Sequence, residues 1–333
     1  MNRRLFRSLL VACLLCAFAV NCPAPLIYTP GEGWRYEKVG EEGKWTRTRA
    51  KDQLELAQQA FDKKDYGAAM KSARRTVNVW PFSDYAPQAQ YLLARCYEAK
   101  FQDEAAFKAY QHLIERYPKV LNYDEVILRQ MAIGNRFLAG QWFKAFNYIP
   151  FFPSMDKTIK MYEKIIKNGP YSEVAPQAQI NIGTAHEKKV FKEYPEAARA
   201  YEKAADRYAD QPAGTDALFK VGETYYKQAK RAEYDQSVAG QSISTFTDFV
   251  TLHPDDKRVP DAQQKIDVLR TEQARGNFET ARYYERRARW EGAKIYYNAV
   301  VDTLRDKPNA PYVEAALRHI DAINKRVAKT PSP

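Results

Sequence analysis

Pro81-Phe-Ser-Asp-Tyr-Ala-Pro-Gln-Ala-Gln90, Pro170-Tyr-Ser-Glu-Val-Ala-Pro-Gln-Ala-Gln179 and Pro254-Asp-Asp-Lys-Arg-Val-Pro-Asp-Ala-Gln263 are variants of one phrase, each with two prolines six residues apart. The first proline ends a helix, because it has no N–H for the ladder and its ring clashes with the preceding turn. The second suits the first turn of a new helix, because its fixed φ is already helical and no donor is lost there. A chain that repeats this stop and start is a string of helix pairs, each unit covering the apolar face of the next.

Working outward, Leu56, Ala57, Ala60, Ala69, Ala73 and Pro81 recur as Leu93, Ala94, Tyr97, Ala106, Tyr110 and Pro118, every pair 37 residues apart. Small residues where two helices cross, an apolar or aromatic residue one turn on, and a closing proline make the tetratricopeptide pattern. Gly67 and Gln102-Asp103 are expected to mark the tight turn inside the first two pairs. Later units read Ile133-Gly134, Phe137, Thr158, Tyr162, Pro170; then Ile182-Gly183, His186, Ala197, Tyr201; then Val221-Gly222, Tyr225, Ser242, Phe246, Pro254; then Thr280-Ala281, Tyr284, Ala293, Tyr297. The third carries an aromatic insertion, Gly140 to Pro153, and the fifth extra residues around Ala232 to Gly240. Pro260 to Gln273 reads as helix continuing into the sixth unit, and Pro311 to Val327 as an amphipathic helix that caps the open end of the stack. The expectation is an all-α, right-handed superhelix of tetratricopeptide repeats over 50–310, a capping helix over 311–329, and close crossings at Gly183 and Gly222 that a large side chain would overpack.

Composition agrees. Glycine is scarce at 14 of 333 residues, and hydrophobic residues make up 45%. The 52 Lys and Arg outnumber the 41 Asp and Glu, which suits anionic surfaces or acidic partners. The excess is spread along amphipathic helices, and aromatic RNA-binding signatures are absent, so no nucleic-acid partner is expected.

Met1-Asn-Arg-Arg-Leu-Phe-Arg7 followed by the apolar run Ser8 to Val20 reads as an export signal over 1–22, too short to span a bilayer comfortably. Three ends are open to it: cleavage after Ala17-Phe-Ala19; lipidation at Cys22, whose preceding Ala19-Val20-Asn21 fits a lipobox poorly; or lipidation at Cys13, where Leu10-Val-Ala-Cys13 fits better but leaves a very short apolar core, so that Cys22 is the better-placed anchor. Residues 23–49, rich in Pro, Gly and charge, read as an extended tether. Beyond the leader and Cys22 only Cys96 remains, so no disulfide framework is possible.

Ala281-Arg-Tyr-Tyr-Glu-Arg-Arg-Ala-Arg-Trp-Glu-Gly-Ala293 with Tyr296-Tyr297, and Asp103-Glu-Ala-Ala-Phe-Lys-Ala-Tyr110 with Arg116-Tyr-Pro118, resemble the last and second units of the BamD outer-membrane assembly lipoprotein family. The likeness extends over roughly Ala50 to Val327; the weak lipobox and the two insertions depart from it. That resemblance implies a location on the periplasmic face of the outer membrane, held there through a lipid anchor. It implies N-terminal units that meet unfolded outer-membrane proteins and C-terminal units that meet the periplasmic domains of the β-barrel insertase.

In a tetratricopeptide stack the first helix of each pair lines the concave face. The expected peptide groove is therefore Leu54, Gln58 and Phe61, then Tyr91, Arg95 and Glu98, then Leu128, Asn135 and Leu138, with aromatic faces for apolar side chains and Arg95 and Asn135 for backbone or terminal charge. The alternative is that Phe61 and Tyr91 simply pack on the next repeat. Arg282, Arg286, Arg287, Arg289 and Trp290 form a candidate partner-binding turn, or else a solvated turn paired to Glu285 and Glu291. The six aromatics between Trp142 and Phe152 either pack or form a sticky surface.

Catalytic constellations are not apparent. His112, His186, His253 and His319 fall in different units, and no zinc, CxxC or glycine-rich phosphate motif occurs, so neither an enzyme nor a metal or other cofactor is expected. The expected role is a non-catalytic periplasmic scaffold in outer-membrane β-barrel assembly. The rival readings are a periplasmic adaptor of the cell-division or Tol-Pal type and a glycan-processing enzyme with a helical superhelix.

Overall fold

A computed structural model describes residues 26–29, 33–36, 46–119, 122–145, 149–231 and 236–327. The export signal with Cys22, and the middle of the aromatic insertion at 146–148, lie outside the described residues. The chain forms two compact units, residues 1–153 and 154–333. Among the described residues thirteen helices and two short antiparallel hairpins occur.

In the first unit, α1 (Ala50–Asp62), α2 (Tyr66–Val79), α3 (Ala86–Ala99), α4 (Asp103–Arg116) and α5 (Tyr123–Leu138) pack each on the next, and α1 also packs on α3. Contact between next-but-one helices marks stacked hairpins rather than a loose chain of pairs. Alanine makes the stacking tight: Ala57, Ala69, Ala73 and Ala89 are fully buried between α1, α2 and α3.

In the second unit, α6 (Met155–Asn168), α7 (Ala175–Lys188), α8 (Tyr194–Arg207), α9 (Pro212–Arg231), α10 (Gln236–Leu252), α11 (Val259–Arg286), α12 (Trp290–Thr303) and α13 (Pro311–Val327) repeat the arrangement, with α7 on α9, α9 on α11 and α11 on α13. The third sequence unit, Ile133 to Pro170, straddles the boundary: α5 belongs to the first compact unit and α6 to the second. The long helix expected from Pro260 onward is the 28-residue α11, and α13 covers α12 through Val313, Ala316 and Ile323.

The double-proline phrase does what its chemistry predicts. Pro81, Pro170 and Pro254 follow the ends of α2, α6 and α10, while Pro87, Pro176 and Pro260 sit in the first turns of α3, α7 and α11. Its terminal glutamine has a further purpose. Gln90 and Gln179 are buried and donate their Nε2 to the carbonyls of Ala109 (2.9 Å) and Ala200 (3.1 Å), tying α3 to α4 and α7 to α8 within their hairpins. Gln263 in the third phrase is exposed instead.

The crossings expected at Gly183 and Gly222 are present. A Cβ at Gly183 would lie 2.5 Å from the Tyr201 ring, and one at Gly222 2.7 Å from Phe246. The turns within hairpins differ from expectation. Gly67 lies in the first turn of α2, and the turn itself is made by Lys64 at φ 61°, Phe101 at φ 54° and Ala288 at φ 55°, with Gly140 at φ 109° in the same place after α5. At each, two backbone bonds close the helix end, as in Asp65 N to Ala60 O (2.9 Å) and Lys64 N to Phe61 O (2.8 Å). Carbonyls left orphaned at the helix end are thus satisfied even without glycine at three of the four turns.

Within the stretch read as a tether, β1 (Leu26–Thr29) pairs with β2 (Gly33–Tyr36). Within the insertion, β3 (Phe143–Ala145) pairs with β4 (Ile149–Phe152). Phe143 is buried and stacks on Phe137 of α5 at 4.0 Å, whereas Trp142 beside it is 52% exposed. The insertion therefore packs at its root and offers an aromatic side chain to solvent next to it.

Candidate peptide groove and partner surface

The first unit contains a cavity of about 970 Å³ bounded by α1, α3 and the turn between α4 and α5. Its floor is Leu54, Gln58 and Phe61 from α1, three residues spaced so that one helix face carries them, and Tyr91 and Arg95 from α3, one turn apart. Five of the expected groove residues meet here. Arg116, Tyr117, Pro118 and Lys119 close the third side and were not foreseen as lining; the Arg-Tyr-Pro ending that marks the repeat was the available signal.

Arg95 lies over two aromatic faces, its guanidinium carbon 5.6 Å from the centre of the Phe61 ring and 5.8 Å from that of the Tyr91 ring. It also donates from Nη1 to the Tyr91 hydroxyl at 3.3 Å. A guanidinium placed this way keeps its charge and loses little further freedom when it meets a carboxylate or a backbone carbonyl. With Arg116 and Lys119 on the opposite wall and Leu54, Phe61, Pro87 and Pro118 between, the groove combines apolar surface with cationic ends.

Behind the groove runs a ladder of charge. Tyr91 donates to Glu125, Arg129 donates to Glu125 (2.9 Å) and to Glu98 (3.2 Å), and Arg136 reaches Glu98 (3.5 Å) and Asp103 (2.6 Å). Gln141 completes it by donating to Asp103 at 2.6 Å. The Tyr91 hydrogen bond first, and Arg129 next, hold the Glu125 carboxyl below its ordinary range. Burial opposes the charge of Arg129, but Glu125 and the two tyrosines keep its pKa raised. Glu98 therefore belongs to this ladder, where it also accepts from the Tyr110 hydroxyl at 2.9 Å. Asn135 is exposed on α5, Leu138 is buried, and Leu128 is 53% exposed; these do not line the cavity.

The arginine turn lies between α11 and α12. Arg286, Arg287 and Arg289 are exposed, Arg287 lies over Tyr283 at 4.4 Å, and Arg282 reaches Glu279 at 3.5 Å. Trp290 is half-buried against the last core cluster with Arg326 over its ring at 5.6 Å. Glu285 accepts instead from Tyr297 (2.6 Å) and lies 2.9 Å from His319, and Glu291 pairs with Lys294 at 3.6 Å. Cys96 is fully buried, and burial pushes its thiol up to about 12, so it behaves as a small core residue. The histidines stay apart: His186 meets Glu193 at 2.8 Å, His253 packs on Phe249, and His319 meets Glu285.

The sequence profile of the YfiO family, described as outer membrane lipoprotein, matches residues 47–148 and 152–331, nearly the whole helical body. The chain belongs to the YfiO family. A curated relative, the outer membrane protein assembly factor BamD of Caulobacter vibrioides, is 22% identical over 167 residues. That alignment spans 50% of this YfiO-family chain and 53% of the relative. Among solved structures, a tetratricopeptide protein of Cytophaga hutchinsonii covers 81% of this chain and 88% of its own at 15% identity and a TM-score of 0.36. PilF of Pseudomonas aeruginosa covers 81% and 97% at 11% identity and a TM-score of 0.30.

Proposed function

We propose that this YfiO-family protein is a non-catalytic scaffold of outer-membrane β-barrel assembly, working at the periplasmic face of the outer membrane. Its α1/α3 groove receives an extended segment of an unfolded outer-membrane protein. Its α11–α12 turn meets the periplasmic domains of the insertase, with Arg286 and Arg289 facing acidic residues and Trp290 as the apolar anchor. Lipidation at Cys22 would tether the body to the membrane. The observation that carries the reading is the groove itself: aromatic faces from Phe61 and Tyr91 with Arg95 laid across them suit apolar side chains at alternate positions and a terminal or backbone acceptor between them. The likeness to an assembly factor supports the choice of partner.

Fluorescence anisotropy with an extended, alternately apolar peptide bearing a free C-terminal carboxylate tests the groove. Arg95→Ala should weaken binding roughly tenfold, consistent with about 1–3 kcal/mol for a charged hydrogen bond, and amidating the peptide terminus should remove most of that difference. Equal affinity of wild type and Arg95→Ala would refute the assignment. Affinity purification from detergent-solubilised envelope tests the partner: recovery of a β-barrel insertase supports it, and recovery of division or Tol proteins favours the adaptor reading.

A further inference from the structure

Because the helices alternate direction, every turn inside a hairpin lies on one edge of its unit and every turn between hairpins on the other. The two edges differ in chemistry. On the first unit's within-hairpin edge stand Lys63 and Lys64 after α1, Lys100 and Phe101 after α3, and Trp142 after α5, all exposed. Phe101 is 76% exposed on a left-handed turn, and it shares a small recess with Trp142, so successive tips adjoin. The second unit repeats this after α7 with Lys188, Val190, Phe191 and Lys192, where Val190 is 93% and Phe191 82% exposed.

Acids at these turns are engaged inward. Asp65 caps α2 by accepting from the Ala68 N–H at 3.0 Å, Asp103 holds Arg136, and Glu193 holds Lys189 and His186. The opposite edge of the first unit also shows a bare aromatic, Phe82 at 98% exposure, but it stands beside Asp84, and that edge's cations Arg116 and Lys119 line the groove; Tyr171 of the second unit, 96% exposed, stands beside Glu173. Lysine next to a protruding apolar tip is the combination that an anionic bilayer surface rewards: the cation meets the headgroups while the ring enters the interfacial layer.

We propose that the within-hairpin edge of the first unit is a docking surface for an anionic phospholipid bilayer, with Lys63, Lys64 and Lys100 contacting headgroups and Phe101 and Trp142 inserting at the interface. This goes beyond the scaffold reading and leaves the α11–α12 turn to the insertase. The edge orients the first unit on a membrane against which a lipid anchor alone would leave it free to swivel.

Flotation of the mature, unacylated chain with vesicles tests it. Vesicles with roughly a third phosphatidylglycerol in phosphatidylcholine should carry at least ten times more protein than phosphatidylcholine alone, and the difference should collapse in high salt. Lys64→Glu with Lys100→Glu should cut partitioning at least tenfold. Phe101→Ser with Trp142→Ser should cut it severalfold while circular dichroism stays native. Phe82→Ser with Tyr171→Ser, on the opposite edge, should leave it unchanged. Equal partitioning to neutral vesicles, failure to float at all, or an equal loss from the opposite-edge pair overturns the proposal; loss of peptide binding in the groove is a separate readout and does not bear on it.

Discussion

Lys64, Phe101 and Ala288 hold left-handed backbone that costs an L-residue roughly 1–2 kcal/mol relative to its preferred regions. The position after α5 is filled by Gly140, where a side chain would carry that cost. Glycine there gives back part of the gain as unfolded-state freedom. Lys64→Gly and Ala288→Gly should each stabilise the fold by about 0.5–1 kcal/mol in urea titrations, the balance of those two effects. These turns were not legible in the sequence. Glycine is the usual mark of such a position, and Gly67 drew attention three residues too far along, where it sits in regular helix. The arginine–carboxylate ladder behind Tyr91 was also missed, because only its spacing within α5, Glu125 to Arg129, is local. Its other links join residues more than thirty apart, from Arg129 to Glu98 and from Arg136 to Asp103.

At the scale of elements, the axes of neighbouring helices approach closely where one of them lacks a side chain. Gly183 on α7 leaves room for the buried Tyr201 ring of α8, whose hydroxyl lies 3.1 Å from the Thr184 hydroxyl. Gly183→Ala should cost about 1–3 kcal/mol through overpacking, because both the ring and the helix must shift. Chemical denaturation checks this, and Gly240→Ala, which has open space at the same atom, is the matched control with little loss. Crossings like this one were readable, since the small-then-aromatic spacing recurs from the second unit on. So were the helix boundaries, since proline acts locally. The two β-hairpins were not: β1–β2 and β3–β4 are four residues or fewer per strand, and neither stretch has the sustained alternation that announces a sheet. Of the groove, Leu54, Gln58, Phe61, Tyr91 and Arg95 could be found by counting one face over from the knobs. Asn135 and Leu138 followed the same count, but they lie on α5, beyond the turn that closes the cavity.

At the scale of the whole chain, acid resistance should be limited by carboxylates in both units. Arg258 holds the Asp256 carboxyl down to about 2. Lys189, with His186, lowers Glu193, and Tyr91, with Arg129, lowers Glu125. A group whose folded pKa lies below its unfolded value contributes stability that is complete above the unfolded value and vanishes as pH falls through the folded one. Melting temperature should therefore hold steady from pH 7 to about 5 and fall between pH 4 and 2. Asp256→Asn should lower it at pH 6 and make no difference near pH 2.

Burial of Cys96 has a practical corollary. A thiol with no access to solvent and a proton held to about pH 12 will ignore maleimides and disulfide probes at neutral pH. Any cysteine placed by design at Gln58, Lys100 or Phe191 would then be the one reactive handle on the helical body. Bilayer depth, peptide proximity and neighbour contacts could thus be measured by covalent trapping on a chain otherwise unaltered from Ala50 to Val327.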